Sequence, residues 1–162
     1  MQIMTPEHVK QALKILQLDN IDIITFDSST ATSQMAADNI GCELGQIVKS
    51  LGFMINKEKP IVILTSGDQT VDDRKLATMF DVGRKKVRMM TAEQCIEILG
   101  YAPGGVPPVG HRQSDCPVYI DTMLKRYETV YAAGGSAQTI FPIELETLQR
   151  VTSATFADVA KD

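Results

Sequence analysis

Lys49 lies in the middle of the stretch QIVKSLGFMI, residues 46–55. Period-two alternation there puts Ile47, Lys49, Leu51, Phe53 and Ile55 on one face of a strand. A lysine in an otherwise apolar row must reach solvent or meet an anion, because an unpaired buried ammonium is very costly. Its charge either sits at the floor of a pocket and binds a phosphate, or blunts a sheet edge against aggregation. The second feature is PGGVPPVG, residues 103–110. Gly104 and Gly105 let the backbone approach a ligand closely, and the prolines hold the loop rigid without using donors. That suits main-chain N–H groups fixed around a carbonyl oxygen that gains negative charge; a rigid connector is the other reading. The spacing matches neither G-x-G-x-x-G nor GxxxxGK[ST], so a nucleotide-binding loop is not supported.

Other reactive residue types are sparse. Cys42, Cys95 and Cys116 are far apart and odd in number, with no CxxC pair, and His8 and His111 cannot build a metal site alone. Neither a disulfide framework, a metal nor a cofactor is expected, and no Ser-His-Asp or Cys-His arrangement is evident. His111, directly after the loop, is a candidate acid/base or ribose contact, or an exposed loop histidine. Arg84, Lys85, Lys86 and Arg88 put four positive charges into five residues, a local anion patch or a solvated turn and strand edge. The net charge of −4 argues against broad, sequence-independent nucleic-acid binding.

The chain that must position these groups has 162 residues, 44% hydrophobic and 22% charged, which predicts one globular domain over residues 1–162. No apolar run approaches the roughly 20 residues needed to span a bilayer, and the N-terminus has no signal-like pattern. A cytoplasmic location without a membrane partner is the default expectation.

Thr5-Pro6 reads as an N-cap and first helical position, and Val9, Ala12, Leu13 and Leu16 recur at helical spacing, predicting a helix over about 5–18. The apolar run Ile21 to Phe26 predicts a strand, followed by a turn at Asp27-Ser28-Ser29-Thr30. A helix over about 33–40 should close at Gly41 in a left-handed cap. Residues 46–55 and 60–65 predict an antiparallel hairpin around the polar turn Asn56-Lys57-Glu58-Lys59. Asp72 or Asp73 caps a helix with Leu76, Met79 and Phe80 facing inward, closing near Gly83. Val87 to Met90 predicts a short strand, and Thr91 with Gln94 a capping box opening a helix to Leu99. Val118 to Asp121, Thr129 to Ala133 and Gln138 to Phe141 predict strands, with Asp121 ending the first of them and capping the helix that follows. Pro142 then opens a terminal helix carrying Ile143, Leu145 and Leu148. The expected fold is α/β (α+β): a mixed, largely antiparallel sheet or partly closed barrel of about six to seven strands with short peripheral helices.

Taken in order, GQIVKSLGFMI with PIVILTSGD resembles the lysine-bearing strand pair of the YbaK/prolyl-tRNA-synthetase-associated domain family, and Gly104 to Pro108 resembles its G-x-x-x-P loop. SQMAADNIGCELGQIVK, KLATMFDVGRKKVRMMTAEQ and VYIDTMLKRYETVYAAGG extend the similarity over roughly residues 25–150. The resemblance implies a deacylase that hydrolyses the ester of misacylated tRNA without metal. Lys49 would then hold the phosphate of the terminal adenosine. Gly104, Gly105, Val106 and Pro108 would grip the aminoacyl carbonyl, and water, the ribose hydroxyl or the substrate's own side chain would supply the nucleophile. Thr30, Ser50, His111, Ala132 and Gly134 are the candidate pocket residues, and Arg84, Lys85, Lys86 and Arg88 would meet acceptor-stem phosphates. Val106, Pro107 and Ala132 stand where YbaK-like members carry Cys or Ser, which leaves the amino acid open among alanine, serine, threonine and cysteine. The alternatives are an inactive module of the same fold that binds tRNA or a synthetase partner, and a sensor of free amino acids.

Overall fold

The computed structural model describes residues 1–162, and its elements follow largely from local signals in the chain. Helix α1 (Pro6–Ile15) starts at Thr5, whose N–H donates to His8 Nδ1 at 3.0 Å, and buries Val9 and Leu13. Strand β1 (Ile24–Thr25) precedes helix α2 (Ser33–Ile40). Thr32 caps α2 by accepting from Met35 N, and Gly41 ends it at φ 81°, a left-handed turn that glycine enters without a Cβ penalty. Strands β2 (Ile47–Ile55) and β3 (Lys59–Ser66) form the expected hairpin. Helix α3 (Asp73–Met79) is capped by Asp72, and strand β4 (Val87–Met89) follows. Helix α4 (Ala92–Gln94) opens on the Thr91/Gln94 capping box and continues as a π-helical turn, Cys95–Leu99. Strand β5 (Val118–Asp121), strand β6 (Thr129–Ala133), strand β7 (Thr139–Glu144), helix α5 (Leu145–Thr152) and strand β8 (Thr155–Ala157) complete the chain.

The eight strands form one open sheet in the order β1-β7-β6-β2-β3-β5-β8, with β4 on β2; it does not close into a barrel. Pairing is antiparallel for β1–β7, β6–β7, β2–β3 and β2–β4 and parallel for β2–β6, β3–β5 and β5–β8. Both faces of the central hairpin are covered. Val48, Val62 and Leu64 pack with α1, the 101–109 loop and α5 in the main core. Phe53, Ile55, Ile61 and Ile63 pack with Leu76 of α3 on the opposite face, and Ile47 packs with Ala36 and Ala37 of α2. No helix is long and apolar enough to cross a membrane.

Four expectations change. The run Ile21–Phe26 is paired only at Ile24 and Thr25; Ile21 and Ile23 are apolar because they pack on the core, not because they join a ladder. Pro142 does not open a helix. Strand β7 continues through it to Glu144, opposite Tyr131, and the helix starts at Leu145. The proline is tolerated because β1 ends opposite Ile140, so the far edge of β7 has no neighbour there to miss its N–H. Met79 faces outward, 38% exposed, since α3 ends at that residue. Strand β8 lies in a stretch read as following the last element.

Candidate active site

The pairing of β2 leaves a gap. Strand β6 pairs with β2 only at Ile47 and Val48, and β4 pairs with the same edge only from Phe53 to Ile55. Residues Lys49 to Leu51 therefore have a strand on one side only, β3. On the face of the Lys49 row, α2 covers Ile47 and α3 covers Phe53 and Ile55, leaving Lys49 between them. A cleft of about 300 Å³ opens at this gap. Its walls are mostly apolar, including Ala36, Ile47, Val106, Ala132 and Ile140, with Lys49, Thr30, Ser50 and Gly104 also lining it.

Lys49 and the loop thus share one cavity. The Lys49 ammonium donates to Gln69 O at 2.6 Å and forms no ion pair. Burial pushes its pKa below the ordinary lysine value, while the Asp68 carboxylate pulls it upward. Such a cation is incompletely neutralised and partly dehydrated, a state that favours binding an anion.

The loop is braced from behind. Gly104 has φ 93°, and a Cβ there would lie 3.3 Å from Ala31 Cβ. At Gly105 a Cβ would lie 2.8 Å from Ser136 backbone carbons, so glycine permits the close approach of the two segments. The buried Tyr101 hydroxyl donates to Gly110 O at 2.9 Å, and burial pushes its pKa up to about 12. His111 Nε2 donates to Pro107 O at 2.7 Å, and burial pushes the imidazole below its ordinary pKa, so its neutral form is the strut. Gly105 N–H is used by Ala102 O. Gly104 and Val106 line the cleft, and their N–H groups have no protein acceptor. They are the loop donors available to a ligand.

The site expected from sequence divides accordingly. Lys49, Gly104, Val106, Thr30, Ser50 and Ala132 line the cleft. Gly105 and Pro108 are buried behind it, and Gly134 packs under Ile23 and Thr139, where a Cβ would lie 2.7 Å from Ile23 Cγ2. His111 is neither an exposed loop residue nor on the cleft wall; it holds the loop. Thr30 Oγ1 and Ser50 Oγ have no hydrogen-bond partner. Ser50 reaches the cleft despite alternating away from Lys49, because the strand gap exposes the edge of β2 as well as its face. Sequence reasoning missed Tyr131, Ala133 and Ser33 on the cleft wall; only the β6 register and the α2 N-terminus bring them there.

The basic run lies elsewhere. Lys85 and Lys86 are exposed and unpaired, Arg84 is bound to Asp73 at 3.0 Å, and Arg88 Nε donates to Lys85 O. Val87 pairs with Ile55, six residues along β2 from Lys49, which puts the patch about 20 Å from Lys49. Cys95 and Cys116 are buried in the core and Cys42 is half-buried; none forms a disulfide.

Residues 27–151 match the family model of the aminoacyl-tRNA editing domain. The chain is 35% identical over 142 residues to the uncharacterized protein YwhH of Bacillus subtilis (strain 168), covering 87% of this chain and 88% of that protein. It is 28% identical over 128 residues to a protein of Enterococcus faecalis named "Putative Cys-tRNA(Pro)/Cys-tRNA(Cys) deacylase EbsC", covering 79% and 76%. A crystal structure described as "a putative trans-editing enzyme for prolyl tRNA synthetase" superposes with a TM-score of 0.89 at 34% identity over 97% of each chain. With its lysine and glycine-rich loop on one cleft of the same fold, the chain belongs to the aminoacyl-tRNA editing domain family.

Proposed function

We propose that the protein is a trans-acting aminoacyl-tRNA deacylase that hydrolyses the ester of a misacylated tRNA carrying a small amino acid. The observation that carries this reading is the shared cleft, lined by Lys49 and by Gly104 and Val106, whose N–H groups have no protein acceptor. Lys49 binds the phosphate of the terminal adenosine. The two amides hold the aminoacyl carbonyl and stabilise the negative charge on its oxygen when water attacks the carbonyl carbon. Collapse of that adduct breaks the ester, returning the ribose oxygen with a proton and releasing the amino acid. Metal is not required by these roles, so EDTA should leave turnover unchanged.

At about 300 Å³ the cleft lies at the small end of ligand sites. Ala36, Ile47 and Ile140 restrict the side chain it accepts, and the Thr30 and Ser50 hydroxyl oxygens lie buried and unpartnered in this otherwise apolar wall. Lys85 and Lys86, about 20 Å from Lys49 along β2, contact phosphates of the acceptor stem, and a synthetase such as prolyl-tRNA synthetase is the partner that would generate the substrate. The test is release of amino acid from a panel of Ala-, Ser-, Thr- and Cys-tRNA. Release from at least one member is expected; tRNA binding with release from none contradicts the proposal and favours an inactive binding module.

A further inference from the structure

Lys49 has an acidic neighbour with which it does not pair. Its ammonium donates to Gln69 O, and the preceding residue, Asp68, is the carboxylate whose charge acts on it. Lys49 thus reaches the backbone one residue from Asp68 but lies outside ion-pair distance of its carboxylate; paired with it, Lys49 would be a poorer ligand for a phosphate. Asp68 is instead taken by Arg126 in a two-pronged bond, Nη1 to Oδ2 at 2.9 Å and Nη2 to Oδ1 at 2.7 Å. This fork is the strongest geometry a carboxylate finds with a side chain.

The surroundings fix the guanidinium in that place. Its Nε donates to Met123 O at 2.7 Å, its Nη2 also donates to Ser66 Oγ at 2.8 Å, and it lies 5.0 Å from the centre of the Tyr127 ring. Ser66 in turn donates to Gly45 O, and Gly45 has no Cβ where one would lie 2.9 Å from Asp68 Oδ2 and 3.0 Å from Arg126 Nη2. The turn carrying Arg126 (Thr122–Arg126) is itself anchored by the fully buried Asp121, which accepts from Met123, Val159 and Ala160 N–H groups. This much structure around one exposed-edge ion pair exceeds what an ordinary surface pair receives.

We infer that Arg126 is a positioning residue: by occupying Asp68 it prevents that carboxylate from capturing Lys49 and leaves the ammonium free for the substrate phosphate. The inference rests on the reading of Lys49 given under Proposed function. It makes the loss caused by removing Arg126 reversible by removing Asp68, which a simple structural role does not predict.

The test compares Arg126→Gln, Arg126→Gln/Asp68→Asn and Lys49→Met in the full chain. The titration of Lys49 is followed by NMR on protein labelled with ¹³C at lysine Cε, its signal assigned by its loss in Lys49→Met, and needs no ligand. Arg126→Gln should raise the Lys49 midpoint, and the added Asp68→Asn should bring it back down. With whichever panel tRNA the wild type hydrolyses, Arg126→Gln should raise KM about tenfold with kcat near wild type, and the double variant should recover it. Arg126→Lys, a milder change for the fold, should raise the midpoint by less. An unmoved Lys49 midpoint in both Arg126 variants overturns the inference, as does a raised KM that Asp68→Asn does not recover. If Lys49→Met keeps wild-type turnover, the phosphate reading itself fails, a result the ligand-free titration does not share.

Discussion

Gly105→Ala is a stringent probe of the loop, because the clash it creates can be worked from the coordinates. The added Cβ would lie 2.8 Å from both the carbonyl carbon and Cα of Ser136, and 3.0 Å from its nitrogen. Comfortable carbon–carbon contact needs about 3.5–4.0 Å, so one backbone must yield by roughly 0.7 Å or more. Gly105 is not in the left-handed region, so only the contact matters. Overpacking of this kind costs about 1–3 kcal/mol, reduced by the about 0.4–1 kcal/mol gained from a stiffer unfolded chain. The net, about 0–2.6 kcal/mol, should lower Tm by up to about 10 °C. Ser136 lies on a paired turn, fixed by its N–H to Thr139 Oγ1 at 3.1 Å, so the loop is the segment that moves. Moving the Gly104 and Val106 amides by much of an ångström should lower kcat/KM about ten- to a hundredfold. Gly83→Ala is the control: no atom lies within 4 Å of its added Cβ, and its φ of −69° suits alanine, so stability should rise slightly and turnover persist. Thermal unfolding and deacylation measured on the same samples decide it. Wild-type kcat/KM in a destabilised Gly105→Ala would refute the assignment of the loop to the reaction.

Three further outcomes follow from the same geometry. Burial depresses the His111 pKa below 6.5, so in acid the unfolded chain binds a proton that the folded chain resists. Stability should therefore fall as the pH drops from about 7 toward 5, and His111→Asn should flatten that segment of the Tm profile. Neutralising Lys85 and Lys86 together should weaken tRNA binding and make the slope of log K against log salt shallower by about 1.4–1.8; an unchanged slope removes them from the interface. Asp68→Asn should lower the Lys49 midpoint, since Asp68 holds that ammonium up against its desolvation.

Local chemistry made much of this molecule legible in sequence. Gly41 and the Thr91/Gln94 box act through a turn or less of backbone, and each appears as read. The β2–β3 hairpin was visible because alternation and a short polar turn encode it within 20 residues. Lys49 stood out because a charge in an apolar strand row demands an explanation, and the strand gap between β6 and β4 supplies one. Long-range pairing was not visible. Nothing local tells Pro142 that β1 will end opposite Ile140, or tells Thr155–Ala157 that the edge of β5 is vacant. Arg126 was missed for the same reason: its carboxylate partner is 58 residues away, and only the β3–β5 register brings the two turns together.

The most direct measurement is single-turnover deacylation of the four-member tRNA panel by wild-type protein and by Lys49→Met, with thermal unfolding of both. The wild type should release amino acid from at least one member, and the variant should release it roughly ten- to 150-fold more slowly as a charged hydrogen bond to phosphate is lost. Tm should change by no more than about 2 °C, because Lys49 forms no ion pair and its removal also relieves a desolvated charge. Undiminished release by Lys49→Met would contradict the central claim that this ammonium anchors the substrate.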